Sequence, residues 1–124
     1  MFDINDGIAS FNNADFFAAH DFFENLWMEA KKEDKLFFQG MVQISVGYYH
    51  FICGNLKGSK SQLFKGTSKL KLYEPLHYKI NISNLVDEIE KFCKTNFEIK
   101  KLNNIKIDSI VLPKIKLLTN VKLN

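Results

Sequence analysis

Two amphipathic stretches of this chain carry polar side chains among their apolar ones. Five of these are residue types that do chemistry: His20 and Glu24 in the first stretch, and Gln39, Gln43 and His50 in the second. At ~100° per helical residue, two side chains four apart project within about 40° of one another, so His20 and Glu24 share a face. Gln39, Gln43 and His50 fall within a similar arc. Both arcs coincide with apolar positions: Phe16, Phe23 and Trp27 in one stretch, Val42, Val46 and Cys53 in the other. The pattern predicts an interior polar cluster between two helices, whose imidazoles, carboxylate and amides need partners.

Three arrangements would supply those partners. In a metal centre, His20, Glu24 and His50 give two nitrogens and an oxygen to a divalent Zn, Mn or Fe, and the open fourth position takes a water for hydrolysis. Asp21, ~100° round from His20, joins from the edge as a fourth ligand or base. Glu24 is the other candidate proton acceptor. Gln39 and Gln43 orient the imidazoles or bind a ligand, with Trp27 beside them. In the second arrangement the same groups only hydrogen-bond one another and fix helix register, with no cofactor. The third is a metal-free pocket for a small molecule. The spacing is His-x-x-x-Glu, not the His-Glu-x-x-His of zinc proteases.

Elements that position these residues are legible from periodicity. Asn12 or Asn13 caps a first helix from about residue 14 to 30, and Asp34 caps a second from about 35 to 53. Gly40, Gly47 and Gly54 lie seven apart, a nearly straight stripe without side chains that predicts close approach of another helix. Gly54 and Asn55 then stop the second helix. A third helix spans about 59–73, with Leu56, Leu63, Phe64 and Leu70 inward and Pro75 ending it. Asn81 or Ser83 caps a fourth, striped by Ile82, Leu85, Val86, Ile89, Phe92 and Cys93. The fold class expected is all-α, a small antiparallel bundle of about four helices over 1–96. The extension, 97–124, is irregular, and Ile110, Val111, Leu112, Ile115, Leu117 and Leu118 lay part of it across the bundle.

Composition narrows the function classes. At 124 residues and 46% hydrophobic, the chain builds one core, and its 12 phenylalanines fall mostly before residue 64. Cys53 and Cys93 lack disulfide or zinc-knuckle spacing and read as reduced core residues, and His77 as a surface loop residue. The acidic N-terminus lacks a signal-peptide pattern, so an intracellular compartment is expected. The apolar run 37–53 approaches the ~20 residues of a membrane span, but Gln39, Gln43, Ser45 and His50 argue for a buried soluble helix.

All 17 basic residues are lysine, a bias of AT-rich coding that points to a reduced genome or an organelle. Residues 1–56 carry three lysines and eight acids, and residues 57–124 carry fourteen lysines and six acids, giving −5 and +8. The basic half lacks arginine and interleaved stacking aromatics, which weighs against nucleic acid. The partner is then a small molecule or a protein.

The run Phe11-Asn12-Asn13-Ala14-Asp15-Phe16-Phe17-Ala18-Ala19-His20-Asp21-Phe22-Phe23-Glu24-Asn25-Leu26-Trp27 resembles domain of unknown function 309. So do Phe38-Gln39-Gly40-Met41-Val42-Gln43, His50, Gly54-Asn55 and Gly58, over roughly residues 11–95. The resemblance implies a compact all-α bundle and the label of predicted metal-dependent hydrolase. Family members usually have glutamate after the first-helix histidine, where this chain has the shorter Asp21. Tyr73, Pro75 and Leu112-Pro113-Lys114-Ile115 are similar to cyanobacterial and algal plastid members, which implies the plastid stroma, or the cytoplasm if the chain is not organelle-encoded. Two functions are therefore expected from different classes: a metal-dependent hydrolase, or a non-catalytic helical binding or structural module.

Overall fold

A computed structural model describes residues 3–97 and 111–117. Five helices carry the fold: α1 (Ile4–Asn12), α2 (Phe16–Glu29), α3 (Lys32–Ile52), α4 (Leu56–Leu70) and α5 (Ile82–Asn96). A 3-10 turn, Lys71–Tyr73, and a two-residue hairpin of β1 (Leu76–His77) and β2 (Ile80–Asn81) join the last two. The protein is all-α, with four of the five helices where the periodicity places them.

The helix not expected from periodicity is α1. Its Ile4, Ile8 and Phe11 sit at i, i+4 and i+7, and Asp3 caps it by accepting the Asn5 N–H at 2.9 Å. Gly7 lets it lie against α2, because a methyl group there would collide with Phe22 and Phe23. Asn12 therefore ends a helix instead of capping one. After Ala14, at φ 63°, the N-cap of α2 is Asp15, whose carboxylate accepts the Ala18 N–H at 3.2 Å.

At the centre, α3 starts at Lys32, so Asp34 stands inside its first turn and caps nothing. Its far end stops at Gly54, where φ is 86°. Asn55 then caps α4 through the Gly58 N–H at 2.9 Å, three residues earlier than expected.

The glycine stripe does bring a helix close. A Cβ on Gly40 would stand 3.2 Å from the Gly66 carbonyl oxygen, and one on Gly47 would stand 2.6 Å from Leu63 Cδ2. Here α3 and α4 meet backbone to side chain over two turns. Two inward assignments on α4 and α3 fail: Phe64 is 71% exposed, and Cys53 is exposed at the end of α3. Phe64 lies one ~100° step beyond buried Leu63, and Cys53 lies two positions beyond buried Phe51, at the C-cap of α3.

The core is largely aromatic. The Tyr48 ring lies 5.9 Å from Phe11, 5.3 Å from Phe16 and 4.9 Å from Phe92, drawing α1, α2 and α5 onto α3. Burial pushes the Tyr48 hydroxyl well above its ordinary 10.0. Cys93 is partly buried, and that burial, with Glu90 nearby, raises its thiol to about 11.

Residues 111–117 cross the bundle as an extended strap. Ile115 is buried, Leu117 bridges Ile80, and the Asn81 N–H donates to the Lys116 carbonyl at 2.8 Å. Val111 is 83% exposed, contrary to its inward assignment, and Ile110 and Leu118 lie outside the described residues. No helix among the described residues is long and apolar enough to cross a membrane.

Candidate functional site

On α2 the buried stripe is Phe16, Ala19 and Phe23. His20 and Glu24 each follow a buried residue by one position, so helical geometry turns them ~100° out of the interface. They occupy its rim, together with Asp21. Side-chain exposures of 24% for His20, 43% for Glu24 and 58% for Asp21 replace the expected buried cluster with a solvent-facing one.

The three side chains nonetheless converge. His20 Nδ1 lies 3.4 Å from Asp21 Oδ1, and His20 Nε2 lies 3.8 Å from Glu24 Oε1. One ligand atom from each residue falls within 4.8 Å of the others. A neutral imidazole has one N–H and one lone pair. If the nitrogen facing one carboxylate binds a cation, the other can donate to the second carboxylate, which fixes tautomer and ring orientation. Nitrogen and carboxylate oxygen donors suit Zn, Mn or Fe.

His50 lies outside this set. It sits in the last turn of α3, where its Nδ1 is 3.5 Å from Asn55 Nδ2 at the α3–α4 corner. Asn55 uses its oxygen to cap α4, which leaves its amide nitrogen to face the imidazole. The preceding residue, Tyr49, makes a ring contact with α2 at this rim. Phe17 has its ring 5.8 Å from both Tyr49 and His20.

Gln39, Gln43 and Trp27 are all partly buried. Among the described residues no hydrogen bond joins either glutamine to His20 or Glu24, and Gln43 Oε1 is buried without a partner. The Trp27 carbonyl accepts from Lys35 Nζ at 2.7 Å.

A second polar constellation escaped the sequence reading. Asp34 accepts from His77 Nε2 at 3.0 Å and from the Tyr78 hydroxyl at 2.6 Å, across 43 and 44 residues. The His77 ring lies 4.7 Å from Phe37, 4.7 Å from Tyr73 and 4.8 Å from Tyr78. Tyr73 donates to the Glu33 carbonyl at 2.7 Å. Burial works to raise the Asp34 carboxyl, but hydrogen bonds from Tyr78 and His77 and the positive charges of His77 and Lys31 leave it below its ordinary 3.8. Its hydrogen bond to Asp34 pushes Tyr78 up to about 12.

Both Asp34 oxygens are thus engaged. The group ties the β1–β2 hairpin to the start of α3, and His77 is a partner in that tie instead of a free loop residue. The sequence offers only an aromatic-rich Tyr73 to Tyr78 loop, and nothing local in it points to Asp34.

A cavity of about 410 Å³ lies elsewhere again: Glu88, Lys91, Phe92 and Asn96 of α5 line it with Val111 and Pro113 of the strap. The α2 rim, chosen for its donor atoms, and this cavity, chosen for its shape, do not coincide. Chemistry favours the rim, since the cavity brings together no cluster of ligating side chains among the described residues.

Among comparisons with known proteins, the family model of domain of unknown function 309 matches residues 4–62, which run from α1 into α4. No curated protein and no solved structure matches the chain.

Proposed function

On the premise that residues 4–62 carry domain of unknown function 309, we propose that the α2 rim is a divalent-cation centre of a metal-dependent hydrolase, held by His20, Glu24 and Asp21. The observation that carries this reading is the convergence of their ligand atoms within 4.8 Å on one helix face. A bound cation supplies Lewis acidity. The chain's own contribution is to hold the donors: the i, i+4 spacing presets His20 against Glu24, and Asp21, next in sequence, brings its carboxylate to the edge of the same imidazole. Exposure of Asp21 and Glu24 leaves the outer side of the site open to substrate, and a carboxylate oxygen not used as a ligand can accept a proton from an attacking water. His50 is left out of the ligand set.

Calorimetric titration of the purified chain with Zn²⁺ and Mn²⁺ tests this. One cation should bind per chain, His20→Ala and Glu24→Gln should each weaken it at least tenfold, and His50→Ala should leave it unchanged. No binding by the wild type, or equal binding by His20→Ala, would overturn the centre and the hydrolase with it.

The second reading is a non-catalytic helical module. The observation that favours it is His50 engaged with Asn55 at a helix corner, a purely architectural use of the second histidine.

A further inference from the structure

The outward face of α4 has an unusual composition for a helix on a folded domain. Inward, α4 packs Ser59, Leu63, Gly66, Thr67 and Leu70. Outward, at steps of three and four, stand Lys57, Lys60, Ser61, Phe64 and Ser68, with Lys65 at the flank, all exposed. The 15 residues of α4 include four lysines and no acid. Among the described residues, no carboxylate forms an ion pair with Lys57, Lys60 or Lys65; Lys71 beyond them pairs with Glu90 at 2.6 Å. In the middle of these free cations Phe64 is 71% exposed, and Leu72, 67% exposed, continues the apolar surface into the 3-10 turn.

We propose that this face docks the protein peripherally on an anionic lipid bilayer, with Phe64 entering the headgroup–acyl boundary and Lys57, Lys60 and Lys65 lying against the headgroups. Charge complementarity selects a negatively charged partner. Shape selects among such partners, since the outward side of a helix is convex and meets a broad surface where a peptide strand would need a groove. Lysine is a hydrated point charge that is attracted to a diffuse anionic plane without the bidentate geometry by which arginine reads phosphates in nucleic acids. One projecting ring suits insertion, whereas single-stranded nucleic acid calls for a row of rings on which successive bases stack. The inference is independent of the cation centre on α2.

Co-flotation of the full chain with vesicles tests it, comparing pure phosphatidylcholine with phosphatidylcholine containing phosphatidylglycerol. Binding is expected only to the anionic vesicles and should fall as salt rises. Replacing Lys57, Lys60 and Lys65 together by Gln should weaken it by about a hundredfold, and Phe64→Ser by about tenfold. Because all four side chains are exposed, an unchanged melting temperature of each variant identifies the loss as one of docking. Absence of binding to anionic vesicles, equal binding to both compositions, or full binding by the triple lysine variant would each overturn the proposal. Retention by a single-stranded RNA oligonucleotide with no vesicle binding would reassign the face to nucleic acid and overturn it as well.

Discussion

Asn12 holds both polar groups of one distant residue: its amide nitrogen donates to the Ile115 carbonyl at 3.0 Å, and its oxygen accepts the Ile115 N–H at 2.7 Å. The two residues are 103 positions apart. A side-chain amide here substitutes for a neighbouring strand, and it is the reason an extended strap can lie on a helical bundle with its Ile115 backbone satisfied.

Replacing Asn12 by Ala should remove both bonds and leave part-buried backbone groups of Ile115 without their partner. The expected loss is about 1–3 kcal/mol, read as a shifted denaturant midpoint. Proteolysis within 111–117 should accelerate in parallel. A variant with wild-type stability and protection would show that the strap is held by burial of Ile115 alone.

Gly66→Ala sets helix propensity against packing. Alanine is worth about 1 kcal/mol over glycine inside a helix. A Cβ at Gly66 would stand 2.6 Å from Ile44 Cγ2 and 3.0 Å from both the Gly40 carbonyl oxygen and the Ile44 nitrogen, two of them backbone atoms that cannot rotate away. Overpacking of about 1–3 kcal/mol should win, so the net effect is destabilising. A rise in melting temperature would mean that α3 and α4 separate easily.

The Asp34 tie predicts a pH dependence of stability. A folded-state pKa below 3.8 means that the unfolded chain binds more protons at acid pH, so this contribution is full above about pH 4 and is lost as pH falls through the depressed value. Tyr78 has the opposite sign. Raised from 10.0 to about 12, it favours the folded state below pH 10 and ceases to do so as pH climbs through about 12. Asp34→Asn should lower stability at neutral pH and flatten both limbs of the profile. Chemical denaturation of wild type and variant from pH 3 to neutrality and again toward pH 12 supplies the comparison. Parallel curves would remove Asp34 from both effects.

Four helices, the glycine contact and the Asn81 cap were legible in the sequence because each rests on local spacing or on one residue's conformational preference, whereas Asn55 reads as a helix stop and instead caps α4. The α1 helix was missed at nine residues, with a glycine in the middle of a short apolar pattern. The α2 cluster was found but placed at the wrong depth. Buried Ala19 is small and carries little weight in an apolar pattern, so the pattern centres on His20, ~100° away. His50 differs for the same reason: it follows Tyr48 and Tyr49, whose rings meet Phe16 and Phe17 of α2. Pairings such as Asp34 with His77 and Tyr78 depend on a tertiary encounter between a helix start and a hairpin, and no local pattern encodes that.

The ring of Tyr48 carries a consequence for cooperativity. It is the meeting point of Phe11, Phe16 and Phe92, so three helices share a single aromatic contact with a fourth, and melting any one of them exposes the rings of the others. Phe92 lies in α5, beyond the segment 4–62 that matches the family model. The stretch that the family model matches is therefore smaller than the stretch joined through this ring, and α5 packs into the same core although the match stops in α4.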